Sequence, residues 1–121
     1  MPCTIIRKAE SADARRLAEI AYNAWEQGIF PLLADQPGMR EAERYRLTQV
    51  VAETRGGIIV AEVDGVGVGW CRRAARRAYI PYLFVTPELQ RHGLGSMLLR
   101  RMESMLELSG AARVYLETPA D

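Results

Sequence analysis

Val85-Thr86-Pro87-Glu88-Leu89-Gln90-Arg91-His92-Gly93-Leu94-Gly95-Ser96-Met97-Leu98-Leu99 carries a β-rich run through a short connection into an apolar helix. Leu94, Met97, Leu98, Met102, Met105 and Leu106 recur on one stripe, which predicts a helix from Gly93 to Leu108. Glycine costs about 1 kcal/mol in a helix interior relative to alanine, so Gly93 and Gly95 at its start call for a reason. A junction without Cβ atoms lets an anion reach the unpaired N–H groups of the first turn, at the positive end of the helix dipole. Arg91 and His92 flank it as added donors. An ordinary glycine-containing turn before a helix explains the same spacing. No Gly-Lys-Ser/Thr follows, and the three-glycine dinucleotide fingerprint is absent.

Working outward, Tyr79 to Val85 reads as the strand that feeds this junction, and Arg113 to Thr118, after Gly110, as a closing strand. Upstream, Thr4 to Lys8 is a short strand. Ser11 offers an N-cap hydroxyl with Asp13 in the first turn, and Ala14, Leu17, Ala18, Ala21 and Trp25 recur at helical spacing up to Gly28. Ile29 to Leu33 is apolar without a clean period. A second helix from about Arg40 to Thr54 turns Leu47, Val50 and Val51 inward and Arg40, Glu43, Arg44 and Arg46 outward. Ile58 to Val63 and Val66 to Cys71 form a hairpin through Asp64-Gly65. In its second strand Val66, Val68 and Trp70 alternate with Gly67, Gly69 and Cys71, so one face is bulky and the other nearly bare; a close approach to the backbone and a weakened strand packed under a helix both fit. Arg72, Arg73, Arg76 and Arg77 read as a solvated connection, with phosphate or acceptor contacts as the alternative. The order β-α-α-β-β-β-α-β specifies an α/β domain ending in a right-handed strand–helix–strand crossover.

The chain has 121 residues, 49% apolar and 26% charged, with sixteen basic against fifteen acidic side chains. That is one globular domain, residues 1–121, with no general electrostatic reason for a nucleic-acid or membrane partner. Cys3 and Cys71 stand in no metal-ligand or redox spacing, which points to a reducing compartment. The first ten residues lack the apolar run of a signal peptide, and no window is long enough to span a bilayer. A cytoplasmic location is expected, with no metal.

The stretch from Ile80 through Leu99 resembles the acetyl-coenzyme A signature of the GNAT superfamily of N-acetyltransferases: a strand ending in Val-x-Pro, then Gln/Arg-x-x-Gly-x-Gly/Ala, then an apolar helix. Val85, Pro87, Gln90, Gly93 and Gly95 fall in register. The likeness implies a mixed, largely antiparallel sheet flanked by helices. It also implies acetyl-CoA as co-substrate, its pyrophosphate cradled from Arg91 through His92, Gly93, Leu94 and Gly95 to Ser96 after Gln90. The Phe84 and Val85 backbone would bind pantetheine, and an N–H near Val85 would polarise the thioester carbonyl. The acceptor would be a primary amine of a small molecule or peptide, near Tyr22, Trp25 and Phe30. A non-catalytic acyl-CoA-binding module on the same fold is the alternative.

Two departures stand out. Relatives often place a carboxylate base on the fourth strand, where this chain has Pro81. Tyr82 and Glu117 are the nearest candidates, and each needs a shifted environment or a water relay. Relatives also continue past the fifth strand with a helix, a tyrosine that protonates the thiolate, and two further strands. The resemblance therefore implies a truncated or incompletely sequenced form of a longer enzyme, or a homodimer whose second copy covers an exposed strand edge at Val114 to Thr118.

Overall fold

A computed structural model of the chain describes residues 3–34, 36–53, 57–73, 79–80, 82–108 and 115–116. Strand β1 (Thr4–Lys8) is followed by helices α1 (Ala14–Gly28) and α2 (Met39–Glu53). The hairpin β2 (Ile58–Val63) and β3 (Val66–Arg72) comes next, then β4 (Tyr79–Ile80), β5 (Tyr82–Val85), α3 (Leu94–Leu108) and β6 (Tyr115–Leu116). Four antiparallel strands in the order β1-β2-β3-β5 make the main sheet, and β4 pairs with β6 in parallel. This is the mixed, largely antiparallel α/β arrangement expected.

The helices divide between the two faces of the sheet. Leu17, Ile20 and Ala21 of α1 and Leu47, Val50 and Val51 of α2 pack with Ile58, Val60 and Trp70. On the other face Leu94, Leu98, Met102 and Leu106 of α3 pack on Ile59, Ala61, Cys71, Leu83 and Val85. Trp70 is wholly buried, and its indole N–H donates to the Leu17 carbonyl at 2.8 Å, which fastens α1 to the central strand. The indole thus buries its bulk without orphaning its one donor.

Local chemistry explains the turns. Asp64 and Gly65 both take positive φ (52° and 83°), as a two-residue type I′ connection requires. The entry to α1 differs from the expectation at Ser11. The N-cap is Glu10, one residue earlier, in a capping box with Asp13: the Asp13 carboxylate accepts from the Glu10 N–H at 2.6 Å, the Glu10 side chain accepts from the Asp13 N–H, and Ser11–Asp13 form a 3₁₀ turn ahead of the α-helix. Arg7 clamps Asp13 with two bonds of 2.8 Å and reaches Glu62 at 3.1 Å, joining β1, β2 and the start of α1. That fork fixes the Asp13 carboxylate where it accepts from the Glu10 N–H.

The strict alternation expected in β3 is also corrected. The register with β2 slips between Ala61 and Glu62, leaving Val68 as the extra residue, and its side chain joins the α3 face while Trp70 serves the other. What approaches the bare strand is α3: a Cβ on Gly69 would stand 3.0 Å from the Phe84 carbonyl oxygen and 3.3 Å from Leu98 Cδ1. Cys71, beneath the same helix, has its thiol pushed up to about 12 by burial and is a neutral packing group.

Two stability tests follow from these contacts. Gly69→Ala should cost about 1–3 kcal/mol, because backbone as well as side chain must shift to admit the methyl, read as a lower urea midpoint. The Arg7 guanidinium holds the Asp13 carboxyl below the usual carboxylate range, so its contribution is present at neutral pH and lost as pH falls through that lowered value. Urea midpoints measured from neutral to acid pH should fall less steeply for Asp13→Asn than for the wild type; equal slopes would contradict this role.

Candidate acyl-donor site

Strand β5 leads into the site. Gly69 pairs with Val85, Trp70 with Phe84 and Arg72 with Tyr82, and Thr86 donates its N–H to the Val68 carbonyl at 2.7 Å. Hydrogen-bonded and non-hydrogen-bonded pairs alternate along an antiparallel ladder. The Thr86–Val68 bond therefore turns the backbone groups of Phe84 and Tyr82 toward β3, and those of Val85 and Leu83 to the opposite edge. Among the described residues no strand pairs with β5 on that edge. Of the two backbone positions named from the sequence, Val85 is the one facing it. Its carbonyl accepts from Gln90 Nε2 at 3.1 Å, and its N–H points the same way.

Past Val85 the chain makes a 3₁₀ turn, Pro87–Leu89, and enters α3. The Thr86 hydroxyl donates to the Glu88 carboxylate at 2.8 Å, and Glu88's own N–H with that hydroxyl holds its carboxyl below the usual range. Arg91 and Gly93 both take left-handed φ (68° and 85°), whereas His92 does not. Alternating backbone sign over successive residues turns N–H groups to one side and makes an anion cradle. Met97 donates to Gly93 at 3.0 Å, the first α-helical bond of the run, so the donors of the opening turn face outward. Arg91, His92, Gly93 and Ser96 are exposed, whereas Leu94 and Gly95 are buried against the sheet. A Cβ on Gly93 would meet nothing within 4 Å. Its glycine therefore answers to the left-handed backbone and keeps open space before the donors.

The remaining candidates lie elsewhere. Tyr82 points to the α1/α2 face, its ring 6.3 Å from that of Trp70 and 6.0 Å from that of Phe84. Its hydroxyl accepts from Arg46 Nη1 at 3.3 Å, and the Arg72 guanidinium lies 5.4 Å from its ring centre. Sequence reasoning missed this meeting: Arg46 read as an outward helix residue and Arg72 as part of a solvated connection, and no local pattern joins positions 36 apart. Tyr22 and Trp25 are core residues, 4% and 8% exposed, and Phe30 is half-buried against Trp25. Arg44 covers the Tyr22 ring and Arg40 the Phe30 ring. Pro81, Glu117, Arg76 and Arg77 lie outside the described residues. Among the described residues no group of three or more His, Cys, Asp or Glu is placed to hold a metal ion.

Residues 13–121 match the model of the acetyltransferase (GNAT) family. A search of curated protein sequences finds no match. Among solved structures, a GCN5-related N-acetyltransferase from Rhodopseudomonas palustris is similar over 98% of this chain and 73% of its own, with a TM-score of 0.77 and 20% identity. A GNAT family acetyltransferase from Brucella melitensis in complex with acetyl-CoA is similar over 97% of this chain and 77% of its own (TM-score 0.70, 20% identity). The PaiA N-acetyltransferase from Thermoplasma acidophilum, in complex with coenzyme A, covers 89% of this chain with 74% of its own (TM-score 0.69, 21% identity).

Gly93→Ala should cost about 1–2 kcal/mol through the left-handed backbone alone, since there is no clash to add. Arg91→Gly should leave the midpoint unchanged or raise it. Denaturant unfolding of both variants checks this, and equal losses would contradict the alternating cradle.

Proposed function

The chain belongs to the acetyltransferase (GNAT) family, and from that premise we propose that it transfers an acetyl group from acetyl-CoA to a primary amine of a small molecule or peptide. The observation that carries this reading is the conjunction of two features at one end of the sheet. One is the outward Val85 backbone on an edge that no described strand pairs. The other is the cradle of Arg91, His92 and Gly93 at the start of α3. Acetyl-CoA is a long anion with an amide-bearing arm. It fits a phosphate cradle followed by a strand edge, and when bound it supplies the thioester.

This chain's own residues then have separable tasks. The opening N–H groups of α3, with the Arg91 and His92 side chains beside them, hold pyrophosphate at a helix N-terminus. Gln90 fixes the Val85 carbonyl, and the Val85 N–H is the donor for the thioester oxygen, where negative charge develops. The acceptor nitrogen bonds to the carbonyl carbon, the C–S bond breaks, and the proton lost from nitrogen ends on the thiol. Tyr82 is the described residue we assign to proton handling, through a relay of water and not by direct contact, from the face opposite α3. Phe30 and the exposed Ile29, Leu32 and Leu33 beside it suit an apolar part of the acceptor; Tyr22 and Trp25 support them from beneath. Two free cysteines are in keeping with a cytoplasmic setting.

Calorimetric titration with acetyl-CoA tests the reading. Gly93→Asp is the control, because it places a carboxylate in open space before the donors and aspartate tolerates left-handed φ. Micromolar binding weakened at least about 10-fold in the variant, with thiol release in the presence of amines, is the expected result. Binding without turnover across an amine panel would favour the non-catalytic acyl-CoA-binding module, and no binding by folded protein would overturn both.

A further inference from the structure

At the junction of α2, β3 and β5 an aromatic stack carries an excess of positive charge. Trp70, Tyr82 and Phe84 place their rings 5.1–6.3 Å apart. Arg46 and Arg72 both lie against Tyr82. Their surroundings differ. Arg46 is neutralised by Glu43 through two hydrogen bonds, one of 2.9 Å. Arg72 has no ion pair among the described residues, and its Nε is buried without a hydrogen-bond partner. A guanidinium stays protonated at any physiological pH, so covering one of its donors without an acceptor leaves a desolvation cost uncompensated. Among the described residues the local balance is two arginines against one glutamate, a net single positive charge.

The alternation of β5 sets Tyr82 and Phe84 on the face opposite α3, the face from which the acceptor comes in the reading above. Arg46 is half exposed at 49% of its side chain, so the cluster opens to solvent past Glu43. We infer that Arg72, with Arg46 beside it, binds a carboxylate of the acceptor, so that the substrate is an amine that also carries an acid group. This rests on the acetyltransferase reading and narrows it. Guanidinium presents parallel donors that a carboxylate accepts with both oxygens, and a carboxylate bound at the outer Nη groups balances the charge of the cluster. A strand rises about 3.3 Å per residue, which sets Tyr82 roughly 10 Å from Val85 along β5. The amine and the carboxylate are therefore separated by several bonds, as in an ω-amino acid or a short peptide, and not carried on one carbon.

The test uses three acceptors of matched length: aminocaproate, its amide, and the unbranched alkylamine. The expected result is a lower KM for aminocaproate than for the other two. Arg72→Gln should raise that KM roughly 10- to 100-fold, the size of a lost charge-assisted bond, and leave the KM of the amide and the alkylamine unchanged. Arg72→Lys should restore part of the loss. Equal KM values for acid and amide, or an equal loss on all three acceptors in Arg72→Gln, would overturn the inference while leaving acetyl transfer intact. A readout independent of turnover is the Arg72 Nε–H resonance in nitrogen-15 spectra of the wild type. It should shift on adding aminocaproate and not on adding its amide; an unmoved resonance at saturating acid overturns the carboxylate site whether or not the chain acetylates anything.

Discussion

The approach of α3 to the sheet at Gly69 is the constraint on which the site depends. Leu98 lies so close to the strand that a single methyl at Gly69 would intrude on it and on the Phe84 carbonyl. Gly69 is also the residue paired with Val85. The same close passage therefore sets the height of the helix above the sheet and the place where its first turn meets the end of β5. Leu94 and Gly95, buried at that end, transmit the position to the donors of the opening turn. Precision in the cradle comes from packing well inside the helix, because the exposed residues of the cradle make few contacts of their own.

A second consequence comes from the edge of β5. Strand β4 pairs in parallel with β6 and β5 antiparallel with β3. On the edge of β5 away from β3 no described strand pairs, so backbone groups there point outward with no ladder to satisfy them. In most sheets such groups are an association hazard. Here the carbonyl of Val85 is taken by a side chain from the next connection, Gln90, so the chain itself caps half of the exposed pair and leaves the donor. The glutamine is thus a backbone-positioning residue.

Much of this was legible in the sequence because it depends on local chemistry. Helix α3 declares itself through the stripe from Leu94 to Leu106, and the Asp64-Gly65 turn through the residues that tolerate positive φ. The bounds of β1, the end of α1 at Gly28 and the inward set Leu47, Val50 and Val51 follow from period alone. What was hidden depends on residues far apart in sequence. The cap moves from Ser11 to Glu10, whose capping-box partner Asp13 is held by Arg7 from β1, itself paired with Glu62 on β2. Val68 changes face because the hairpin register slips at Ala61. The arginines at Tyr82 come from α2 and β3, and nothing in either segment announces that their side chains share a ring. Tyr22, Trp25 and Phe30 were expected beside the acceptor, and the structure buries the first two; periodicity cannot distinguish a ring that lines a cleft from one that fills the core between two helices.

The two faces of β5 divide the chemistry. Side chains at Leu83 and Val85 lie with α3 and serve packing, so on that side the backbone edge and the helix donors are the groups left open to a ligand. Side chains at Tyr82 and Phe84 face α1 and α2, where the proposed recognition rests on particular residues: an aromatic stack, one arginine paired to Glu43 and one with no partner carboxylate among the described residues. In the proposed site one ligand is held by main-chain geometry and the other by a few side chains on the opposite face. The guanidinium of Arg72 falls on that second side, where the inferred substrate carboxylate balances its charge.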